Sequence, residues 1–216
     1  IFSNAAKKLG DKIDTEGAVP PKVLKGILDE GSFCDDSLAA EYFGGVLASS
    51  RSGVLRDDRG ATFIALISRL STYQIRSHYI FYHIIKNLFN GTNIDVGLDR
   101  DKMEIFVPLE VYDHSMDFDQ QEKTEIFLPH VMFGLRKETL VGNYWMCGTK
   151  EDLEKHFKQV PAPGIIFQPT GLGIELFLWA YGRADLSVHE FLNPANQFEI
   201  ESKVIIKPGY QRTKKV

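Results

Sequence analysis

The densest groups of metal-ligating side chains are Asp95, Asp99, Asp101 and Glu104, followed by Asp113, His114, Asp117 and Asp119. Carboxylates gathered in this way could hold two divalent cations and activate water for phosphodiester cleavage, so a metal-dependent nuclease or hydrolase is one reading. Neither stretch has the alternating oxygen ligands, central Gly and closing Glu of a calcium loop. Solvated loops explain both stretches and are the preferred expectation. His78 and His83 stand five apart, which on a helix turns them away from each other, whereas a helical metal pair is spaced by three or four. Both are expected to pack or to hydrogen-bond.

Other chemistry is marked still less. There is no Gly-x-Ser-x-Gly elbow, and neither Cys34 nor Cys147 has a neighbouring His in sequence, so no activated nucleophile stands out. Gly44-Gly45 lacks the Lys-Ser/Thr pair of a phosphate loop. Gly171-x-Gly173 lacks the third Gly and the parallel-sheet setting of a dinucleotide site. The chain is therefore expected to work without a cofactor or a bound metal and to bind rather than catalyse. No catalytic residue is assigned.

Binding has a candidate. Arg51, Arg56, Arg59, Arg69 and Arg76 gather in sequence around Tyr73 and Gln74. Guanidinium groups offer planar bidentate contacts and stack on aromatic rings, so Arg56, Arg59, Arg69, Tyr73, Gln74 and Arg76 form a candidate interaction surface for RNA, a nucleotide or an acidic protein. The competing expectation is internal ion pairing with Asp57 and Asp58, two carboxylates that a helix N-terminus also explains. Trp145 and Trp179 are expected to pack between layers.

These residues need elements to position them. A short helix covers 3–14, and Pro20-Pro21 opens another to about Asp29. Asp35 or Asp36 caps a third, on which Leu38, Tyr42, Phe43, Val46 and Leu47 recur at helical spacing until about Ser50. Asp57 or Asp58 caps a fourth, bearing Phe63, Ile64, Ile67 and Leu70. Ser71-x-x-Gln74 is a capping box that starts a fifth, apolar nearly all round and running from Thr72 to about Phe89. Asn90-Gly91-Thr92-Asn93 is a turn and the candidate boundary.

Beyond it, Met103 to Val111 alternates like a strand that Pro108 places at a sheet edge or breaks. Asp113 to Glu125 reads as an exposed polar stretch, and Phe127 to Arg136 as a helix that tolerates Pro129 only in its first turn. Leu140-Val141-Gly142 reads as the end of a short helix. Thr149-x-x-Asp152 is a capping box for a helix holding Leu153, His156 and Phe157. Gly164 to Gln168 reads as a strand, Pro169-Thr170 as the cap of a helix to Gly182, and Ser187-x-x-Glu190 as the start of one more helical turn. Phe198 to Ile206 is read as a last strand and the tail from Lys207 as loose.

The run Val46-Leu-Ala-Ser-Ser-Arg51, followed by Leu70-Ser-Thr-Tyr-Gln74, resembles the core of the Abi-alpha family, bacterial proteins associated with abortive infection of phage-infected cells. In that family a Leu-Ala-Ser-Ser helix end precedes a Leu-Ser-x-x-Gln helix start. The strand-Thr-helix order around Thr170 is similar to its C-terminal part. The likeness extends through residues 22–89 and 127–182. It implies a role in defence against phage, as a sensor, effector or regulatory subunit, and carries over no catalytic residue.

Composition bounds the rest. The 216 residues, 44% of them hydrophobic, can bury a sizeable core without disulfides, and Cys34 and Cys147 are read as reduced and buried. No run reaches the roughly 20 apolar residues of a membrane span. The N-terminus lacks the pattern of a signal peptide, so a cytoplasmic location is expected, and the missing starting Met suggests that Ile1 follows an upstream or removed segment. Residues 1–92 hold 11 Lys and Arg against 10 Asp and Glu, but 93–216 hold 14 against 19. An acidic second half is poor footing for phosphate contacts.

The expected fold is α+β: a mainly helical N-terminal half, 1–92, and a smaller C-terminal half, 93–216, with winged-helix-like elements around the strand and helix of Gly164 to Gly182. Three functions follow in order of preference: a non-enzymatic phage-defence protein that binds a protein partner or itself, a winged-helix nucleic-acid binder, and the metal-dependent hydrolase.

Overall fold

Caps and prolines set most of the helix starts. A computed structural model describes residues 1–54, 56–198 and 204–215. Helix α1 is Phe2–Leu9, with a 3-10 turn over Gly10–Asp14. α2 (Pro21–Gly31) begins on the proline whose missing N–H costs nothing there. For α3 (Ser37–Ser49) the Asp36 carboxylate accepts from the Ala39 amide at 2.7 Å. α4 (Arg59–Ile67) starts without a side-chain cap. Asp58 is drawn instead to Lys22 of α2, at 3.0 Å. α5 (Thr72–Phe89) has the full capping box: the Gln74 amide donates to Ser71 Oγ and the Ser71 amide donates to Gln74 Oε1.

The glycine pair of α3 serves packing. A Cβ on Gly44 would sit 2.7 Å from Asn4 of α1, and one on Gly45 would sit 1.8 Å from the Ala180 carbonyl oxygen. α3 therefore runs between two other helices at backbone distance, where any side chain is excluded. A Lys8–Glu41 pair at 2.8 Å, nearly sealed from solvent, ties α1 to α3.

After α5 come β1 (Ile105–Pro108), α6 (Leu109–Met116), α7 (Thr124–Lys137), β2 (Val141–Gly148), the short α8 (Lys150–Glu154) and β3 (Phe157–Lys158), β4 (Gly164–Pro169) and α9 (Gly171–Ala180). The final described strands are β5 (Gln211–Arg212) and β6 (Lys214–Lys215). One antiparallel sheet has the order β2-β4-β1-β5, and β3 pairs with β6. The fold is α+β. From α5 to β4 the chain runs helix, strand, helix, helix, strand, long wing, strand, with the three strands in the order β1-β4-β2, which is the winged-helix arrangement. It is larger than the Gly164 to Gly182 piece expected, and it takes its first helix, α5, from before the turn at 90–93.

Alternation along the strands divides two cores. Ile105, Val107, Ile165 and Phe167 join the main cluster, which runs without a break from Ala5 to Phe198. Phe106 and Ile166 face the other way, onto Leu153, Phe157 and Val160 under the wing.

Several expectations are corrected. Strand β1 stops at Pro108, which caps α6, so the last three residues of the expected strand, Leu109 to Val111, are helical. α6 carries Tyr112, Ser115 and Met116 into the core, and it ends at Asp117 with φ 56°, so the acidic stretch is not all exposed. Pro129 lies beyond the first turn of α7 and leaves the Glu125 carbonyl without its helical donor. Val141 and Gly142 open a strand, not a helix end; a bulge between Val141 and Trp145 spoils its alternation. Of the residues expected on the helix after Thr149 only Leu153 lies in α8, which ends at Glu154; His156 is in a turn and Phe157 in β3. The tail is not loose: Gln211 and Arg212 extend the sheet at β1, and the Arg212 guanidinium lies 4.4 Å from the Phe89 ring centre. Neither cysteine is buried as expected: Cys147 is exposed on the edge strand β2 and Cys34 is half-buried. The strand expected over Phe198 to Ile206 lies mostly outside the described residues, and 204–206 are not in a strand. Among the described residues no helix is long and apolar enough to cross a membrane.

Candidate interaction surface

Four of the five arginines singled out in the sequence, Arg51, Arg59, Arg69 and Arg76, are each committed to a separate partner. Arg51 donates to the Lys12, Ile13 and Thr15 carbonyls and so closes the 3-10 turn. Arg59 grips Asp57 through two bonds of 2.9 Å, lowering the carboxyl pKa, and lies over the Trp179 ring at 5.2 Å. Arg69 forms a fork on Glu138 at 2.8 and 3.3 Å and pulls that carboxyl down likewise. Arg76 donates to the Ser115 carbonyl at 2.9 Å. Arg56 is exposed. Since Arg59 starts α4 and Arg69 lies past its end, with about 12 Å of helix rise between, the structure separates these groups.

Tyr73 and Gln74 turn inward toward α7. The Tyr73 hydroxyl donates to Glu122, which raises its pKa, and its ring stacks on Phe127 at 4.4 Å. Gln74 is buried; its amide donates to the His130 carbonyl at 3.1 Å, while Ser71 Oγ lies 3.0 Å from His130 Nε2. Gly134 makes room for this contact, because a Cβ there would overlap Gln74 Nε2. A shallow cleft of about 400 Å³ remains between Arg69, Ser71, Gln74, His130, Phe133 and Lys137.

Beneath the junction, His78 joins three helices. Its Nε2–H donates to the Gly173 carbonyl at 3.0 Å, which leaves Nδ1 to accept from the Tyr42 hydroxyl at 2.7 Å. Full burial lowers its pKa to about 3, so it is neutral. Tyr82, pushed up to about 12 by burial, donates to the Leu140 carbonyl at 2.6 Å and accepts from the Thr170 amide at 3.0 Å. Gly173 must be small because a Cβ would lie 1.8 Å from the Tyr82 oxygen. That contact explains the second glycine of the Gly-x-Gly pair. His83 stacks on Tyr79 at 5.6 Å.

Most of the described contacts of the acidic stretches are local, though Glu104 accepts from the distant Gln168 and Thr213 side chains. Asp95 accepts from the Gly97 and Leu98 amides, Asp99 pairs with Lys102, Asp113 accepts from Thr124, and Asp119 accepts from the Gln121 and Glu122 amides. Among the described residues no three His, Cys, Asp or Glu converge as a metal would require.

One surface was not anticipated. α7 buries Leu128, Val131, Met132 and Leu135, yet its outer side is apolar too: Ile126 is 63% exposed and Phe133 57%, with Pro129 exposed between them. The Phe133 ring meets Trp145 of β2 edge to face at 5.4 Å, so the half-buried indole continues the patch onto the sheet. Residues 126, 129, 130, 133 and 137 fall at helical spacing on one stripe. That spacing is visible in the sequence, but with apolar residues on both sides the pattern does not say which side is covered. Trp179, by contrast, is buried against Phe63 at 4.7 Å, as expected of a layer-filling ring. Comparison with protein-family models, curated proteins and solved structures found no match to the chain.

Proposed function

We propose that this chain is a non-enzymatic interaction subunit that docks a protein through the outer face of α7, in the phage-defence setting that the Abi-alpha resemblance implies. The observation that carries this reading is the exposed Ile126 and Phe133 on the third helix of the winged-helix arrangement. Exposed large apolar side chains at helical spacing, continued by a tryptophan, favour a desolvated protein contact. Winged-helix order by itself favours nucleic acid as the second reading, since a helix in this place can enter a groove. The stripe weighs against it, because basic side chains enter α7 only at Arg136 and Lys137 and the whole chain carries a net charge of −4.

Phage challenge of bacteria expressing the chain separates the readings. Protection that is lost in Phe133→Asp and kept in Arg59→Ala and Arg76→Ala, with unchanged far-ultraviolet circular dichroism, supports protein docking. Protection that survives Phe133→Asp, or duplex DNA binding at low salt that fails only in Arg136→Ala and Lys137→Ala, rules it out.

A further inference from the structure

We infer that the occupant of the α7 face is a second copy of this chain, paired antiparallel about a two-fold axis near Pro129 and His130. The inference rests on the docking role proposed for this face and names its partner. At about 100° per residue, Ile126, Pro129, Phe133 and Lys137 lie along one stripe, while Glu125 and Arg136 lie together on the same flank of it. Both flanking side chains are exposed, and neither takes part in the described ion pairs. In an antiparallel pair related by a two-fold axis, each flank meets the same flank of the partner in reverse order. Glu125 of one copy therefore faces Arg136 of the other, and Arg136 faces Glu125.

The apolar positions obey the same symmetry. Ile126 and Phe133 are centred between 129 and 130, and Glu125 and Arg136 between 130 and 131, so one axis brings Ile126 onto Phe133 and matches the charges together. Lys137 then approaches the acidic end that holds Glu122 and Glu125. A parallel pair would set Glu125 against the opposite flank, which carries no matching cation at that level. Trp145, beside Phe133, covers the edge of the contact.

Sedimentation equilibrium of the purified chain at low salt tests this. The expected result is a monomer–dimer equilibrium whose dissociation constant rises at least about tenfold in Phe133→Asp. Glu125→Arg and Arg136→Glu should each weaken the dimer, and the double variant E125R/R136E should restore it, because the swapped charges again face opposites. A chain that stays monomeric at about 1 mM, the weak limit of specific association, overturns the self-pairing while leaving the phage-protection result to judge docking of another protein. A dimer indifferent to Phe133→Asp, or one that the double swap does not restore, overturns the antiparallel arrangement.

Discussion

His78 is uncharged in the folded chain because its surroundings are dry and its two nitrogens are already matched to a carbonyl and a hydroxyl. Its pKa falls from 6.5 to about 3 through burial. The unfolded chain therefore takes up a proton below pH 6.5 that the folded chain refuses until about pH 3. Stability from this group is complete above pH 6.5 and declines with acid, approaching about 1.4 kcal/mol per pH unit well below it. Urea midpoints at pH 7.5 and pH 5 check the sign: the wild type should lose stability across that interval, and His78→Gln, less stable at pH 7.5, should lose less. Equal losses would contradict the buried neutral imidazole, since His83, shifted down in the same direction, is common to both proteins. Arg69 belongs to a different regime. The Arg69 side chain is 53% exposed and only its partner Glu138 is sheltered, at 14%, so Arg69→Ala should cost about 1 kcal/mol in the same assay.

Helix ends were readable because their signals are local. The Ser71 and Gln74 box, Asp36, Thr170 and Pro21 each act within three residues of the turn they start, and all stand where spacing placed them. What escaped depends on distant neighbours. β2 hides because a bulge and an edge position remove its period-two pattern, and the C-terminal strands depend on distant partners, β5 on the open edge of β1 and β6 on β3. Asp58 was a plausible cap until Lys22, 36 residues away, claimed it. The outer stripe of α7 is not legible as a surface, since a helix apolar on two sides does not show in its spacing which side is covered. Two substitutions test the packing of elements. Ser71→Ala removes the α5 cap and should cost about 1 kcal/mol by thermal or urea unfolding. Gly45→Ala drives a methyl into the Ala180 carbonyl between α3 and α9 and should cost about 3 kcal/mol or more. A neutral Gly45→Ala would show that the two helices do not meet at backbone distance.

At the scale of the molecule, α5 is the shared beam: α3 and α9 cover one side of it, α6 and α7 the other, and the apolar core passes through it from end to end. Arg51, Arg59, Arg69 and Arg76 are spent holding this assembly together, while the third helix of the winged-helix order is left with an apolar outer face. A photo-crosslinking amino acid placed at Phe133 in phage-challenged cells reports what touches that face, with Phe33, 88% exposed between α2 and α3, as the control position. The predicted result is a protease-sensitive, nuclease-resistant adduct at position 133 that is absent at position 33. A nuclease-sensitive adduct at 133, or the same adducts from both positions, would contradict protein docking on α7.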